Sequence, residues 1–372
     1  MLSIIEYIKK NGLERAVEDF KLICKEYESK ILLKYNQIDS DMSLKEVRES
    51  RGLILERGTW KILSMSFEKF FNSAETYAAK INWDTAHILE KEDGSLISAY
   101  WDWNINKWCA ATTGTANGEG EVNNKLGTTF SDLFWKTVED KYALNDCLLD
   151  KDHVYMFELC TPYNIVVKPH DESSATLLAV RNRITLNEVD YDGLGRIADS
   201  LRVPLVKRYD LNAKNAGALI KTLEGMPFTE EGYVVLDGNF NRIKIKNPAY
   251  LAVHHLKGKT AEHNILTIVK SNEIEEFAST FPERREEIFN LHKNYNELIG
   301  KLEGVWSILE PLKPKNITPG EKKRYAMEVF RVCEENDTKM FTGLFFGLND
   351  GKVESVKDFM FNFDNKKLYQ LL

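Results

Sequence analysis

The chain has 372 residues, 43% of them hydrophobic and 11% aromatic, which excludes a fibrous or disordered chain and leaves room for two domains with buried cores. Its formal net charge of −7 excludes a protein that coats nucleic acid non-specifically, since such binding is mostly phosphate neutralisation, although 50 basic residues can still line a local cleft. No apolar run approaches the roughly eighteen residues of a membrane span, and "MLSIIEYIKKNGLERAVEDF" is charged every few positions, so neither a span nor a signal peptide is expected. The expected location is cytoplasmic, the host cytoplasm if the source is viral.

Residues 1–30 read as amphipathic helix, because Ile4, Ile5 and Ile8, then Leu13, Ala16, Val17 and Phe20, recur at three and four. From about Ile31 to Leu256 the period shortens. Runs such as "GLILE", "WKILSMSF", "HILEKE", "SLISAYWDW", "HVYMFEL", "NIVVKP", "TLLAVR", "GYVVLDG" and "RIKIK" alternate with turn residues, which predicts a largely antiparallel sheet. Inserted helices are expected within 122–144 and 187–201. Beyond 256 the strand signal stops: Ile288, Leu291, Tyr295, Leu298, Leu302, Val305 and Leu309 mark one face of a long helix, read as a bundle helix rather than a coiled coil. "PLKPKNITPG" ends it, and Thr318, Pro319 and Glu321 form a capping box that starts a further helix through about Cys333. The expected class is α+β: an antiparallel-sheet domain over 1–256 that includes the N-terminal helical segment, then an all-helical domain over 257–372, with the boundary near 256–265. Cys24, Cys109, Cys147, Cys160 and Cys333 show no short-spaced pair of the kind a zinc or redox site needs, and read as reduced, buried thiols.

The chemistry centres on "ILEKEDGSLISAY" (88–100), where Lys91 follows an apolar run and precedes Glu92, Asp93, Gly94 and Ser95. Alone, that string reads equally as a solvated turn. Downstream, Glu231-Gly232-Tyr233-Val234-Val235 is a strand, Asp237-Gly238 a turn, and Arg242-Ile243-Lys244-Ile245-Lys246 the returning strand. Alternation sends Lys244 and Lys246 to one face and Ile243 and Ile245 to the core. Taken alone, the hairpin reads first as an edge strand guarded by lysines. Glu158 in "YMFELCTPYN" is a carboxylate inside an apolar strand, which calls for a partner. "SRGLILE" and "SFEKFFN" add Arg51, Lys69, Phe71 and Asn72. Three other features carry no site: "GTANGEGE" (114–121) lacks the Gly-Lys-Ser/Thr ending of a phosphate loop, His254 and His255 would point to opposite faces of a strand, and Trp101, Trp103 and Trp108 read as sheet packing.

K-E-D-G-S at 91–95, F-E at 157–158, E-G-Y-V-V at 231–235 and K-I-K at 244–246 resemble, in order and spacing, the nucleotidyltransferase motifs of ATP-dependent ligases and capping enzymes. "RGLIL" and "EKFFN" are similar more narrowly to the phage T4-type RNA ligase 1 family, over roughly 50–256 and weakly again at "RYAMEV" (324–329). The resemblance implies an adenylyltransferase domain followed by an RNA-selecting helical domain, and an ATP-dependent RNA ligase that joins a 3′-hydroxyl to a 5′-phosphate through lysyl-AMP and RNA-adenylate. It implies that Lys91 is the nucleophile, that Glu158 and Glu231 hold the ribose and position metal, and that Gly94 lies beside the nucleotide and Val234 under the adenine. Lys244 and Lys246 would grip the α-phosphate, Arg51 and Lys69 orient pyrophosphate with Phe71 nearby, and Glu90 and Gly232 complete the nucleotide site. An ordinary lysine amine is almost wholly protonated at pH 7, and the two hairpin cations would favour its neutral form and then stabilise transition-state charge. The family's usual lysine after the nucleophile motif falls at Thr113, with Lys107 as the possible substitute. The implied cofactors are ATP and Mg²⁺, with Mn²⁺ as alternative, and the implied partner is RNA, as single-stranded ends or a broken tRNA anticodon loop, bound by a monomer without membrane contact. The alternatives are a DNA ligase or a GTP-using capping enzyme, which usually append an oligonucleotide-binding barrel, or a binding protein that has lost the chemistry.

Overall fold

In the computed structural model, which describes residues 1–122, 127–142, 148–164, 166–223, 225–251, 265–314 and 318–372, the opening periodicity carries only to Phe20. It builds α1 (Ser3–Asn11) and α2 (Leu13–Phe20), separated by Gly12 at φ +91°. Leu2 supplies no side-chain cap to α1; instead the buried Glu49 carboxylate, from α3 (Lys45–Glu49), accepts a hydrogen bond from the Ile4 amide at 2.9 Å. The expected helix over 1–30 is therefore too long. Lys21 adopts the left-handed conformation (φ 52°), the apolar spacing drops to two at Leu22 and Cys24, and β1 (Leu22–Glu26) pairs antiparallel with β2 (Lys30–Tyr35).

Two units divide the chain, Met1–Lys257 and Gly258–Leu372; the boundary expected near 256–265 lies almost wholly outside the described residues, as do His254, His255 and Cys147. In the first unit the strands after β2 are β3 (Arg51–Glu56), β4 (Ile62–Ser64), β5 (Phe71–Asn72), β6 (His87–Glu90), β7 (Ser95–Asp102), β8 (Lys107–Ala111), β9 (His153–Cys160), β10 (Ser174–Asn182), β11 (Arg208–Tyr209), β12 (Gly232–Leu236) and β13 (Arg242–Lys246). They form three sheets in the orders β1-β2-β3-β4, β10-β9-β7-β8 and β11-β6-β12-β13-β5. Pairing between these strands is antiparallel except where β13 meets β5. The expected helical insertions appear as α4 (Phe130–Tyr142) and α5 (Tyr191–Leu201); Asp190 caps α5 by accepting from the Gly193 amide at 2.7 Å. A short helix, α6 (Ala216–Leu223), covers the third sheet through Leu219 and Leu223.

"NIVVKP" (164–169) departs from expectation, for its described residues form no strand. The amides of Val167 and Lys168 donate to the Asp93 carboxylate rather than to a ladder. The first two sheets pack face to face through Leu32, Ile54 and Leu63 against Tyr100, Cys109 and Val154. Lys30 Nζ crosses that layer to Asp102 Oδ2 at 2.7 Å and to the Tyr100 hydroxyl at 2.9 Å.

The second unit has helices and 3₁₀ turns in its described residues. Its longest helix, Arg285–Leu309, buries Ile288, Tyr295, Leu302, Val305 and Leu309, with Leu291 and Leu298 half-buried against the same core. Thr318 caps the helix Pro319–Glu335 by accepting from the Glu321 amide at 3.3 Å.

Candidate active site

Where β6 ends, the Lys91 amide donates to the Gly232 carbonyl at 3.0 Å, tying the lysine to the head of β12. Lys91 Nζ lies 2.6 Å from Glu231 Oε1, and Lys246 Nζ approaches the same oxygen at 3.8 Å. The nearest charge to the Lys91 amine is thus a buried carboxylate rather than a hairpin lysine, a departure from the expected ring of cations. Gly232 makes this junction possible. Its φ is +129°, and a Cβ there would stand 2.2 Å from the Ile245 carbonyl oxygen on the neighbouring strand.

The turn after Lys91 lies directly on β9. A Cβ on Gly94 would come within 2.6 Å of the Leu159 carbonyl oxygen, so glycine lets the turn after Lys91 rest against β9. Asp93 fixes that turn from below: its buried carboxylate accepts from the amides of Val167 and Lys168 and, at 2.9 Å, from the Tyr250 hydroxyl. Sequence reasoning missed Asp93, whose partners lie 74 to 157 residues away.

These elements enclose a cleft of about 480 Å³, a size that suits a small-molecule ligand. Arg51, Glu90, Lys91, Gly94, Val234 and Lys244 line it, together with Glu158 and Lys246. Arg51 Nη1 is buried without a hydrogen-bond partner, a cation available to an anion. Glu158 sits deep in the wall. Desolvation pushes its carboxyl up to about 8; the Lys91 ammonium opposes that rise, while Glu231 and Glu92 add repulsion.

Some expected site residues fall elsewhere. Lys69 and Phe71 line a second cavity that shares Phe67, Phe70 and Arg242 with the first. The Lys69 ammonium lies over the Tyr35 and Phe71 rings, 5.3 and 5.6 Å from their centroids. Glu231 and Gly232 stand behind the cleft lining, Glu231 reaching it through Lys91. Thr113 lines the cleft against Gly52, whereas Lys107 is exposed at the start of β8 opposite Asp102, so it cannot replace the missing lysine. Arg242 was overlooked although the alternation that aligns Lys244 and Lys246 includes it. Its guanidinium pairs with Glu188, which also holds Arg181, and lies 4.6 Å from the Phe67 ring centroid. Burial opposes ionisation of Glu188, yet Arg242 and Arg181 hold its carboxyl below the usual range.

Among the described residues no group of three or more His, Cys, Asp and Glu is placed to hold a metal. The mutually repelling carboxylates of Glu158 and Glu231 are nevertheless a donor pair that a hard cation would relieve.

Fold and site together define an α+β protein whose antiparallel-sheet unit carries a lysine, glutamates and strand-borne cations around a ligand-sized cleft. The chain belongs to the T4-type RNA ligase 1 family: the family model, described as RNA ligase, matches residues 49–250. It is similar to the RNA ligase of Rhodothermus phage RM378, with 27% identity over 373 residues and 82% of each chain covered. An Autographa californica nuclear polyhedrosis virus protein, named for both polynucleotide kinase and RNA ligase, is 30% identical over 307 residues, which span 76% of this chain and 42% of that protein. Among solved structures, an archaeal ATP-dependent RNA ligase aligns with 95% of this chain and 84% of its own at 11% identity and a TM-score of 0.45.

Proposed function

We propose that the protein is an ATP-dependent RNA ligase whose nucleophile is Lys91. The observation that carries this reading is the placement of Lys91 Nζ against Glu231, with Lys246 on the same carboxylate, at a cleft also lined by Arg51, Glu158 and Lys244. Glu231 holds the ammonium in place and is the neighbour positioned to take its proton. The freed amine attacks the α-phosphorus of ATP; a phosphorus–nitrogen bond forms and the bond to pyrophosphate breaks. Lys244 and Lys246 neutralise charge on that phosphorus, and Arg51 meets the departing phosphates. AMP then passes to an RNA 5′-phosphate, and a 3′-hydroxyl displaces it. Mg²⁺, or Mn²⁺ in its place, would be held by Glu158 and Glu231 and would offset the negative charge that ATP brings.

The substrate is proposed to be single-stranded RNA ends or a broken tRNA anticodon loop, bound by a monomer and selected by the second unit. Among the described residues no helix is long and apolar enough to cross a membrane. Incubation with α-labelled ATP and a divalent ion is expected to yield a labelled protein that Lys91→Ala cannot form. Labelling by GTP alone would identify a capping enzyme, and no adduct under any divalent ion would leave a binding protein.

A further inference from the structure

The second cavity, about 920 Å³, lies against the Lys91 cleft and shares a wall with it made of Phe67, Phe70 and Arg242. Most of its cations are already engaged. Arg181 and Arg242 share Glu188, and the Arg48 guanidinium donates to the Met42 and Ser43 carbonyls at 2.9 and 2.6 Å. Glu68 adds a second carboxylate to the lining. A bare polyphosphate is poorly matched to this balance, because each carboxylate repels it.

Rings and amides supply the rest of the chamber. Tyr77 is 44% exposed and stands edge-on to Phe71, with ring centroids 5.8 Å apart. Phe240 is held at φ +62°, a backbone conformation unusual for an aromatic residue. The Asp237 carboxylate imposes it by accepting the amides of Asn239 and Asn241, each at 2.9 Å. Exposed Asn187 and Asn239 carry primary amides on the same lining. Rings that stack on a base, amides that pair with base edges and a carboxylate that accepts from sugar hydroxyls together fit a ribonucleoside.

We propose that this cavity seats the 3′-terminal nucleotide of the RNA strand that supplies the attacking hydroxyl, an assignment that rests on the ligase reading above. The shared wall sets its 3′-oxygen beside the cleft where the adenylylated 5′-end is held. That oxygen attacks the 5′-phosphorus, a phosphodiester bond forms, the bond to AMP breaks with its electron pair leaving on AMP, and the hydroxyl proton passes to solvent.

The test uses the unsubstituted 372-residue chain and an RNA oligonucleotide with a free 3′-hydroxyl and 4-thiouridine as its last residue. Crosslinks are expected at 43 or 48, within 67–79, at 181, within 186–188 or within 239–242; crosslinks confined to other segments overturn the assignment. In sealing of a pre-adenylylated 5′-end, Tyr77→Ala is expected to raise the acceptor KM about tenfold, the scale of one lost base stack. The corresponding kcat should change much less, and Tyr77→Phe, which keeps the ring, should restore the KM. An unchanged acceptor KM in Tyr77→Ala overturns the assignment. Should the wild type form no lysyl-AMP, the ligase reading fails by itself, and crosslinking of the unmodified protein still decides whether this cavity takes the RNA end.

Discussion

Glu158 carries two opposed demands, since the position that gives it a role in the cleft also makes its charge costly. An unfolded glutamate titrates near 4.5, and in the fold this one is pushed up to about 8. Below about pH 4.5 both states hold the proton and the contribution of the shift is fully present; as the pH climbs towards 8 only the folded state still holds it, and stability is lost. Glu158→Gln keeps the shape without the titration. Its melting temperature, measured without divalent ions, should match that of the wild type near pH 5 and exceed it above pH 8 by several degrees or more. Added Mg²⁺ should narrow the gap by stabilising the wild type, and the variant should lose activity. A gap that stays constant across this range would refute the titration. A charged residue in an otherwise apolar strand made Glu158 visible from sequence, whereas Asp93 looked like any turn aspartate, because its partners Val167, Lys168 and Tyr250 are brought to it only by the fold.

At the level of elements, the β12–β13 hairpin positions the site, and its register shows which residues matter. Gly232 faces Lys246 and Val234 faces Lys244, while β6 on the other side places Tyr233 opposite Glu90. β13 is no edge at Ile243 and Lys244, because β5 covers it there, so the lysines are not guarding an open strand. The Asp-Gly turn and the alternation of R-I-K-I-K made the hairpin legible. β1 was not, because twenty residues of helical spacing precede it and it is an edge strand with little burial, whereas β2 falls where the strand period was expected to begin. Backbone crowding at Gly232 leads to a sharp expectation. Gly232→Ala combines a φ of +129° with a 2.2 Å approach to the Ile245 oxygen, whereas Gly12→Ala meets a φ of +91° with nothing within 4 Å. The first should cost about 3 kcal/mol or more and lower the melting temperature by roughly 6–12 °C, the second only about 1 kcal/mol. Equal losses in thermal melts would show that close backbone contact is not what reserves position 232 for glycine.

For the molecule as a whole, the cores divide as the units do. The cluster containing Leu302, Val329, Phe345 and Met360 draws its residues from 265–372, while those containing Ile97, Leu32, Ile88 and Leu89 draw theirs from 27–245. The shift from period-two to three-and-four spacing made this division visible in the sequence. The two cavities were less visible: Lys69 and Arg51 are 18 positions apart in one motif-rich stretch, yet they line different chambers because β3 delivers Arg51 to the cleft while Lys69 and Phe71, at and just before β5, line the second cavity beside β13. The described residues that line the Lys91 cleft belong to the first unit, so on the proposed reading the covalent step and the choice of RNA should separate physically. A fragment of residues 1–257 is expected to fold, melt cooperatively and form lysyl-AMP from ATP at a rate within a few fold of the full chain. Its sealing of a broken stem-loop should fall by about tenfold or more, because RNA-selecting contacts contributed by the second unit would each be lost with their binding energy. Labelling with α-labelled ATP and gel assays of ligation would measure the two steps side by side. Loss of labelling in a folded fragment would mean that the helical unit takes part in the chemistry itself, while full retention of sealing would remove it from substrate selection.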